Sequence, residues 1–123
     1  MGGDERGLDA QTRSELHAAL AAEHRRARER EASLTRQFEA IVDATAEANT
    51  DDEHDPEGAT IGFERAQVSA LREEARRRMG ELAAAMERLA AESYGRCERC
   101  TATIARERLL ARPDTRWCRR CAD

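Results

Sequence analysis

Apolar and small side chains recur along the first half of the chain in steps of seven residues. One track is formed by Leu20, Ala27, Leu34, Ile41 and Ala48, and a second by His24, Glu31, Phe38 and Thr45. Alternating steps of three and four residues are typical of a coiled-coil seam. Since no Pro or Gly interrupts residues 9–49, the pattern predicts one long helix there, with His24 and Glu31 as weak points of its seam.

A second helix is predicted over residues 60–93. Its seam consists of Val68, Leu71, Ala75, Met79, Leu82, Met86 and Leu89. Residues 50–60 carry five acidic side chains together with Pro56 and Gly58, which punctuate helices, so this tip segment is predicted to reverse the chain. A short connection favours an antiparallel hairpin with helices of roughly 50–60 Å. The resulting domains are a flexible N-terminus (1–8), a coiled-coil hairpin (9–93) and a C-terminal lobe (94–123).

Composition supports a mainly α fold with little core. Charged residues make up 37% of the chain, and only four residues are aromatic. The net charge of −4 argues against a general nucleic-acid binder, although residues 97–123 carry seven arginines against four acidic residues. We find no signal peptide and no apolar run that approaches the ~20 residues of a membrane span. These features predict a cytoplasmic protein that does not enter membranes.

Four cysteines in the C-terminal lobe form two Cys-x-x-Cys pairs separated by seventeen residues: Cys97, Cys100, Cys118 and Cys121. Two such pairs can supply four thiolates to one tetrahedral Zn²⁺. Disulfides, free thiols and an iron–sulfur cluster are the alternatives, but a reducing compartment favours a metal. Four protein ligands leave no open position, so the predicted zinc is structural. The expected core of the lobe is Tyr94, Ile104, Leu109, Leu110 and Trp117.

The lobe resembles a known family of bacterial zinc-finger proteins. The residues that carry the resemblance are Tyr94-Gly-Arg-Cys-Glu-Arg-Cys100, Ile104, Arg108-Leu109, Ala111-Arg112-Pro113 and Cys118-Arg-Arg-Cys121. Together with a helical hairpin that has an acidic, Pro-containing tip, they resemble the DksA/TraR family of C4-type zinc-finger transcription factors, which bind RNA polymerase. The resemblance implies a regulator whose coiled-coil tip enters the secondary channel of the polymerase and modulates initiation.

The resemblance also implies functional residues at the tip. The family pattern is an Asp, a second Asp three positions later and an Ala two further on, and an ungapped count from Cys97 places these at His54, Glu57 and Ala59. A shift of one residue places Asp55 in the first position. Some members bind guanosine tetraphosphate through three basic residues, of which only Arg112 has a counterpart here, so strong binding of that nucleotide is not expected.

Two other functions remain open at this point. A zinc-ribbon nucleic-acid-binding protein would use the arginines of the lobe on phosphates, with a steep salt dependence. A structural coiled-coil adaptor or homodimer would use the seam, although the hairpin spacing favours an intrachain pair and a monomer. The sequence shows no nucleophile–base pair, Gly-rich phosphate loop or open metal site, so we do not expect an enzyme. No sequence-specific DNA contact is expected.

Overall fold

The structure is a computed structural model that describes residues 8–48 and 56–122. Two long helices dominate it, α1 (Ala10–Ala48, 39 residues) and α2 (Pro56–Ala90, 35 residues), and a short helix α3 (Arg106–Ala111) lies in the C-terminal lobe. The described residues form no strand beyond one isolated antiparallel bridge between Arg96 and Thr103. The predicted mainly α fold, with two long helices packed together and a C-terminal four-cysteine cluster, is confirmed. The chain divides into two compact units.

One unit comprises residues 26–79 and contains the parts of α1 and α2 that flank the tip segment. Its buried core is Leu34, Val68 and Ala75, with Phe38, Ile41 and Leu71 packed against it. The Arg76 Nε donates a hydrogen bond to the Glu31 carboxylate at 2.9 Å, and the Arg72 guanidinium lies 4.9 Å from the centroid of the Phe38 ring. As the residue number rises along α1 it falls along α2, so the two helices are antiparallel.

The other unit joins residues 1–25 with residues 80–123. Leu16, Leu20 and Leu82 are fully buried there, and Ala85 and Leu89 are also buried. Leu16 and Ala85 extend the predicted seam, and the seam residues predicted in this unit are all buried or half-buried. The burial follows the three-and-four spacing because only that spacing keeps side chains on one face of a helix.

The first helix begins with a side-chain cap. Asp9 precedes α1, and its carboxylate accepts a 2.7 Å hydrogen bond from the backbone N–H of Thr12. Hydrogen bonds from Thr12 lower the pKa of Asp9, since they favour the ionised carboxylate. Further along the first turn, the Arg13 guanidinium donates to the carbonyl of Leu89, which links the start of α1 to the end of α2.

The second helix begins at Pro56, earlier than the predicted start at Thr60. Pro is well suited to the first position of a helix, because its fixed φ is helical and its missing N–H has no partner there anyway. The prediction gave more weight to Gly58 as a helix breaker than the structure does. The C-terminal half of the predicted tip segment is therefore helical.

None of the described helices is both long enough and apolar enough to cross a membrane.

Candidate metal centre

The C-terminal lobe starts with a turn that only glycine fits easily. Gly95 has φ +91°, a conformation that side chains disfavour. The turn lets the Gly95 carbonyl accept a 2.8 Å hydrogen bond from the N–H of Ile104. Next to it the buried Tyr94 hydroxyl donates to the Pro113 carbonyl at 2.8 Å. These bonds hold the two cysteine-bearing segments to one small core.

Each Cys-x-x-Cys pair forms a tight turn. The N–H of Thr101 donates to the Cys97 carbonyl at 2.8 Å, and the N–H of Cys121 donates to the Cys118 carbonyl at 3.0 Å. A bond of 2.9 Å from the N–H of Glu98 to the Arg116 carbonyl joins the two turns. Such turns place both thiols of a pair on the same side of the backbone, so the four sulfurs converge.

The four sulfurs have the spacing of a tetrahedral metal site. All four Sγ atoms of Cys97, Cys100, Cys118 and Cys121 lie within 4.8 Å of one another. The Sγ atoms of Cys100 and Cys118 are 3.7 Å apart, close to the roughly 3.8 Å edge of a tetrahedron with Zn–S distances near 2.3 Å. All four cysteines are free thiols, so the disulfide alternative is not what the structure has.

The thiol pKa values show why this cluster suits a cation. Burial acts to raise the pKa of Cys97, but backbone N–H groups of Cys118, Cys100 and Arg99 outweigh it and lower that pKa to about 6. The backbone N–H of Cys121 likewise lowers the pKa of Cys118. Burial, followed by hydrogen bonds with the other three sulfurs, raises the pKa of Cys121 to about 12. Four sulfurs this close cannot all ionise without a central positive charge, and a bound metal supplies it.

These residues fit one Zn²⁺. Four thiolates in a closed tetrahedral set match its preferred ligands and leave no open coordination position for a substrate. The zinc would therefore fold and hold the lobe, since a lobe of this size has too small a core of its own. Within residues 8–48 and 56–122, this is the only group of His, Cys, Asp or Glu side chains close enough together to bind a metal ion.

The prediction of the lobe core is wrong for two of its five residues. Tyr94, Ile104 and Leu109 are buried, but Leu110 is 40% exposed and Trp117 is 37% exposed. Leu110 follows Leu109 on α3, and a helix this short can bury only one of two adjacent residues against the core. Trp117 does not fill the core, and its partly exposed ring has the guanidinium of Arg99 over one face, 5.7 Å from the ring centroid.

The residues that the family resemblance implies at the tip are not all described. His54 and Asp55 lie outside the described residues, while Glu57 and Ala59 lie in the first turn of α2, where Ala59 is exposed. Arg112 is exposed and directly follows α3, where its N–H donates to the Arg108 carbonyl at 2.8 Å. The tip residues and Arg112 therefore keep their roles as proposals only.

Two further contacts had no signal in the sequence. The Arg106 Nε donates to the hydroxyl of Thr12 at 3.1 Å, which joins the start of α3 to the first turn of α1. Arg99, besides covering Trp117, donates to the Cys121 carbonyl at 3.1 Å. Arg99 and Arg106 are two of many arginines in the lobe, so the sequence does not distinguish the arginines that form these long-range contacts.

Comparison with known proteins agrees with this geometry. Residues 92–123 match the family described as the prokaryotic dksA/traR C4-type zinc finger. Among solved structures, transcription factor DksA2 from Pseudomonas aeruginosa is similar over 89% of this chain and 79% of its own, with a TM-score of 0.76 and 22% sequence identity. No curated protein sequence matches the chain. The chain thus has a DksA-like fold, and its C-terminal lobe matches the zinc finger of that family.

Proposed function

We propose that this protein is a bacterial transcription regulator that binds RNA polymerase through the secondary channel. The observation that carries the proposal is the combination of a four-cysteine lobe matching the dksA/traR zinc finger with a fold similar to a named transcription factor along 89% of the chain. Either finding alone would be weaker, because zinc fingers and helical hairpins both serve many functions.

The hairpin gives the proposal a physical basis. Two antiparallel helices packed over Leu34, Val68 and Ala75 form a narrow element that can carry a tip into a pore. The tip segment holds five acidic residues and no arginine. Acidic side chains delivered next to a polymerase active centre would act on its Mg²⁺ or on basic residues of the channel. We assign Asp55 and Glu57 as the acting carboxylates, with Ala59 and His54 beside them.

The zinc lobe has a supporting role in this proposal. Its closed metal centre offers no catalytic position, and the described residues show no nucleophile paired with a base, so the protein would regulate the polymerase and catalyse nothing itself. Arg112 is exposed next to α3 and is a candidate contact to an acidic surface of the polymerase.

The test compares two variants of equal charge change. Asp55→Asn/Glu57→Gln removes two of the five acidic charges of the tip segment, while Glu39→Gln/Asp43→Asn removes two exposed acidic charges on α1. We expect the native protein and both variants to bind purified RNA polymerase core, and only the tip variant to lose its effect on transcription in vitro.

Two results would contradict the proposal. Absence of any binding to polymerase at micromolar concentration by the zinc-loaded protein would remove the proposed partner. Equal effects of both variants on transcription would remove the specific role of Asp55 and Glu57 and leave only the polymerase contact.

A further inference from the structure

The C-terminal lobe has a charge opposite to that of the rest of the chain. Between Arg96 and Ala122 there are eight arginines and three acidic residues, whereas the whole chain has a net charge of −4. A Zn²⁺ held by four thiolates contributes −2, so this segment keeps a net charge of +3 with the metal bound. The arginines therefore exceed what the metal centre itself requires.

Several of these arginines have no acidic partner. The ion pairs of Arg76 with Glu31 and of Arg77 with Glu74 both lie on the long helices. Arg116, Arg119 and Arg120 are exposed, and none of them makes a hydrogen bond or an ion pair with its side chain to any described residue. Arg119 and Arg120 are the two residues inside the second Cys-x-x-Cys turn. Because the turn has a fixed backbone, these cations are held at the surface next to one another.

An exposed aromatic ring lies beside these cations. Trp117 immediately follows Arg116, and 37% of its surface is exposed. Arg99 contacts both ends of the segment formed by residues 116–121. Its guanidinium lies 5.7 Å from the Trp117 ring centroid and donates a hydrogen bond to the Cys121 carbonyl. The segment 116–121 is thus pinned to the first cysteine turn, with a stacked arginine–tryptophan pair on its surface.

We propose that this surface, formed by Arg99, Arg116, Trp117, Arg119 and Arg120, is a binding site for single-stranded nucleic acid. Guanidinium groups bind phosphate oxygens with a planar fork of donors, and exposed aromatic rings or stacked arginines accept unpaired bases. A duplex offers the phosphates but no free base faces, so a single strand uses both parts of the surface. The site goes beyond the proposed polymerase contact and does not depend on it.

The chain supplies its own reporter for this site. Trp117 is the only tryptophan, so intrinsic fluorescence excited at its absorption edge reports on this surface alone. We would titrate the zinc-loaded full chain with a labelled single-stranded oligonucleotide of roughly ten nucleotides. We expect quenching of Trp117, and an affinity that falls roughly twenty-fold between 50 and 200 mM salt if about three phosphates are contacted. A duplex of the same sequence should bind more weakly and leave Trp117 fluorescence nearly unchanged.

Matched variants distinguish binding by this surface from a general effect of positive charge. Arg119→Ala/Arg120→Ala should weaken single-strand binding roughly tenfold and reduce its salt dependence to about threefold over the same range. The control Arg25→Ala/Arg26→Ala removes an adjacent, exposed arginine pair from α1 and should leave binding unchanged. Trp117→Ala should weaken binding roughly tenfold, and Trp117→Phe should retain most of it, because a phenyl ring still stacks. Zinc content and circular dichroism verify that each variant is folded.

The other outcomes are equally decisive. Equal binding of single strand and duplex without quenching would mean a phosphate surface with no base contact and would overturn the proposal. Binding of free nucleotides or inorganic tripolyphosphate as tight as that of the oligonucleotide would assign the surface to a small anion instead. If no nucleic acid binds but Arg119→Ala/Arg120→Ala weakens affinity for RNA polymerase core, the surface is a protein contact, and the proposed function stands without this inference.

Discussion

Thr101 is the most strained backbone position of the metal centre. It has φ +64° directly after Cys100, in the left-handed region where a β-branched residue is disfavoured. Glycine removes this strain, so we expect Thr101→Gly to raise the free energy of unfolding of the zinc-loaded protein by about 1 kcal/mol. Thermal or urea unfolding with zinc present measures the change.

Thr103 offers the matched control for this substitution. It lies two residues further on, forms the bridge to Arg96 and does not have a positive φ. A glycine at position 103 relieves no strain and only increases the conformational entropy that the chain loses on folding. Thr103→Gly should therefore lower the free energy of unfolding by roughly 0.5–1 kcal/mol. If both variants lose stability equally, the strain assigned to Thr101 is absent.

Tyr94 gives the lobe a dependence on alkaline pH. Burial raises its pKa from 10.0 to about 12, and its buried hydroxyl donates to the Pro113 carbonyl. The folded state therefore favours the protonated phenol, and this contribution is full below pH 10 and lost as the pH rises towards 12. The chain contains no lysine and one tyrosine, so few other side chains titrate in this range when zinc holds the thiolates.

We expect Tyr94→Phe to lower the free energy of unfolding at neutral pH by about 1 kcal/mol, through the lost hydrogen bond. The variant should also lose most of the decline that the native zinc-loaded protein shows between pH 10 and 12. Unfolding curves at several pH values in that range provide the measurement. A decline of the same size in both proteins would assign the alkaline sensitivity to the metal centre rather than to Tyr94.

The cysteine ligands could be predicted from sequence, whereas the packing around them could not. Ligand spacing is set by covalent geometry, so Cys97, Cys100, Cys118 and Cys121 converge as expected. Burial within the lobe follows irregular turns and one short helix, which have no periodicity to read. This is why Leu110 and Trp117 were wrongly assigned to the core.

Helix pairing explains the polar seam position on α1. Glu31 was predicted to weaken the seam, but its carboxylate accepts hydrogen bonds from Arg76 on α2 and from Thr35 one turn further along α1. These bonds, that of Arg76 first, lower the pKa of Glu31. A carboxylate with a lowered folded pKa stabilises the protein above its unfolded pKa, and the contribution disappears as the pH falls through the folded value.

A double-mutant cycle with Glu31→Gln and Arg76→Gln tests this interhelix bond. Each single variant should lower stability at pH 7, and the double variant should lose less than the sum of the two. The coupling should vanish at acid pH, below the pKa of Glu31. Arg77 is the control, because its guanidinium lies 3.9 Å from a carboxylate oxygen of Glu74 on its own helix, and Arg77→Gln should show no coupling to Glu31.

Fully buried leucines pack between the two long helices. Leu82 on α2 is fully buried, so Leu82→Ala should cost about 2–5 kcal/mol by leaving a cavity. Val42 on α1 is 38% exposed, and Val42→Ala should cost less than about 1 kcal/mol. Urea unfolding of both variants compares them, and similar losses would mean that the two positions are packed alike.

Helix existence was easier to predict than helix ends. The seam of α2 extends over several turns, so its period identifies the helix reliably. Its first residue depends on the competition between Pro56 as a helix start and Gly58 as a breaker, and both signals are local and of similar strength. In the structure the helix begins at Pro56.

Metal removal should unfold the lobe and leave the long helices largely folded. Tyr94 and Trp117, the only tyrosine and tryptophan, both belong to the lobe, while α1 and α2 supply 39 and 35 helical residues and α3 only six. We expect a chelator, or Cys118→Ser/Cys121→Ser, to abolish the near-UV circular dichroism and to reduce the far-UV helical signal only in part. Added Zn²⁺ should restore the native protein but not the variant. A near-UV spectrum unchanged by chelation would show that the lobe folds without metal.

The general architecture follows from two patterns that act over the whole chain. A long three-and-four seam requires a partner helix, and two Cys-x-x-Cys pairs require one shared centre. What neither pattern specifies is how the two parts of one compact unit meet, because contacts such as that of Arg106 with Thr12 depend on side chains that are individually unremarkable in an arginine-rich sequence.

That contact also has a consequence for the order of folding during synthesis. Arg106 and Thr12 are 94 residues apart, whereas Arg76 and Glu31 are 45 residues apart. A ribosome releases residues 26–79 before the last cysteines exist, and closing a shorter loop costs less chain entropy. We therefore expect the hairpin flanking the tip to form first on the nascent chain, and the unit of residues 1–25 and 80–123 to close only after the last cysteines have been made and have bound metal. Newly made chains in zinc-starved cells would accumulate with this second unit open, as targets for proteases.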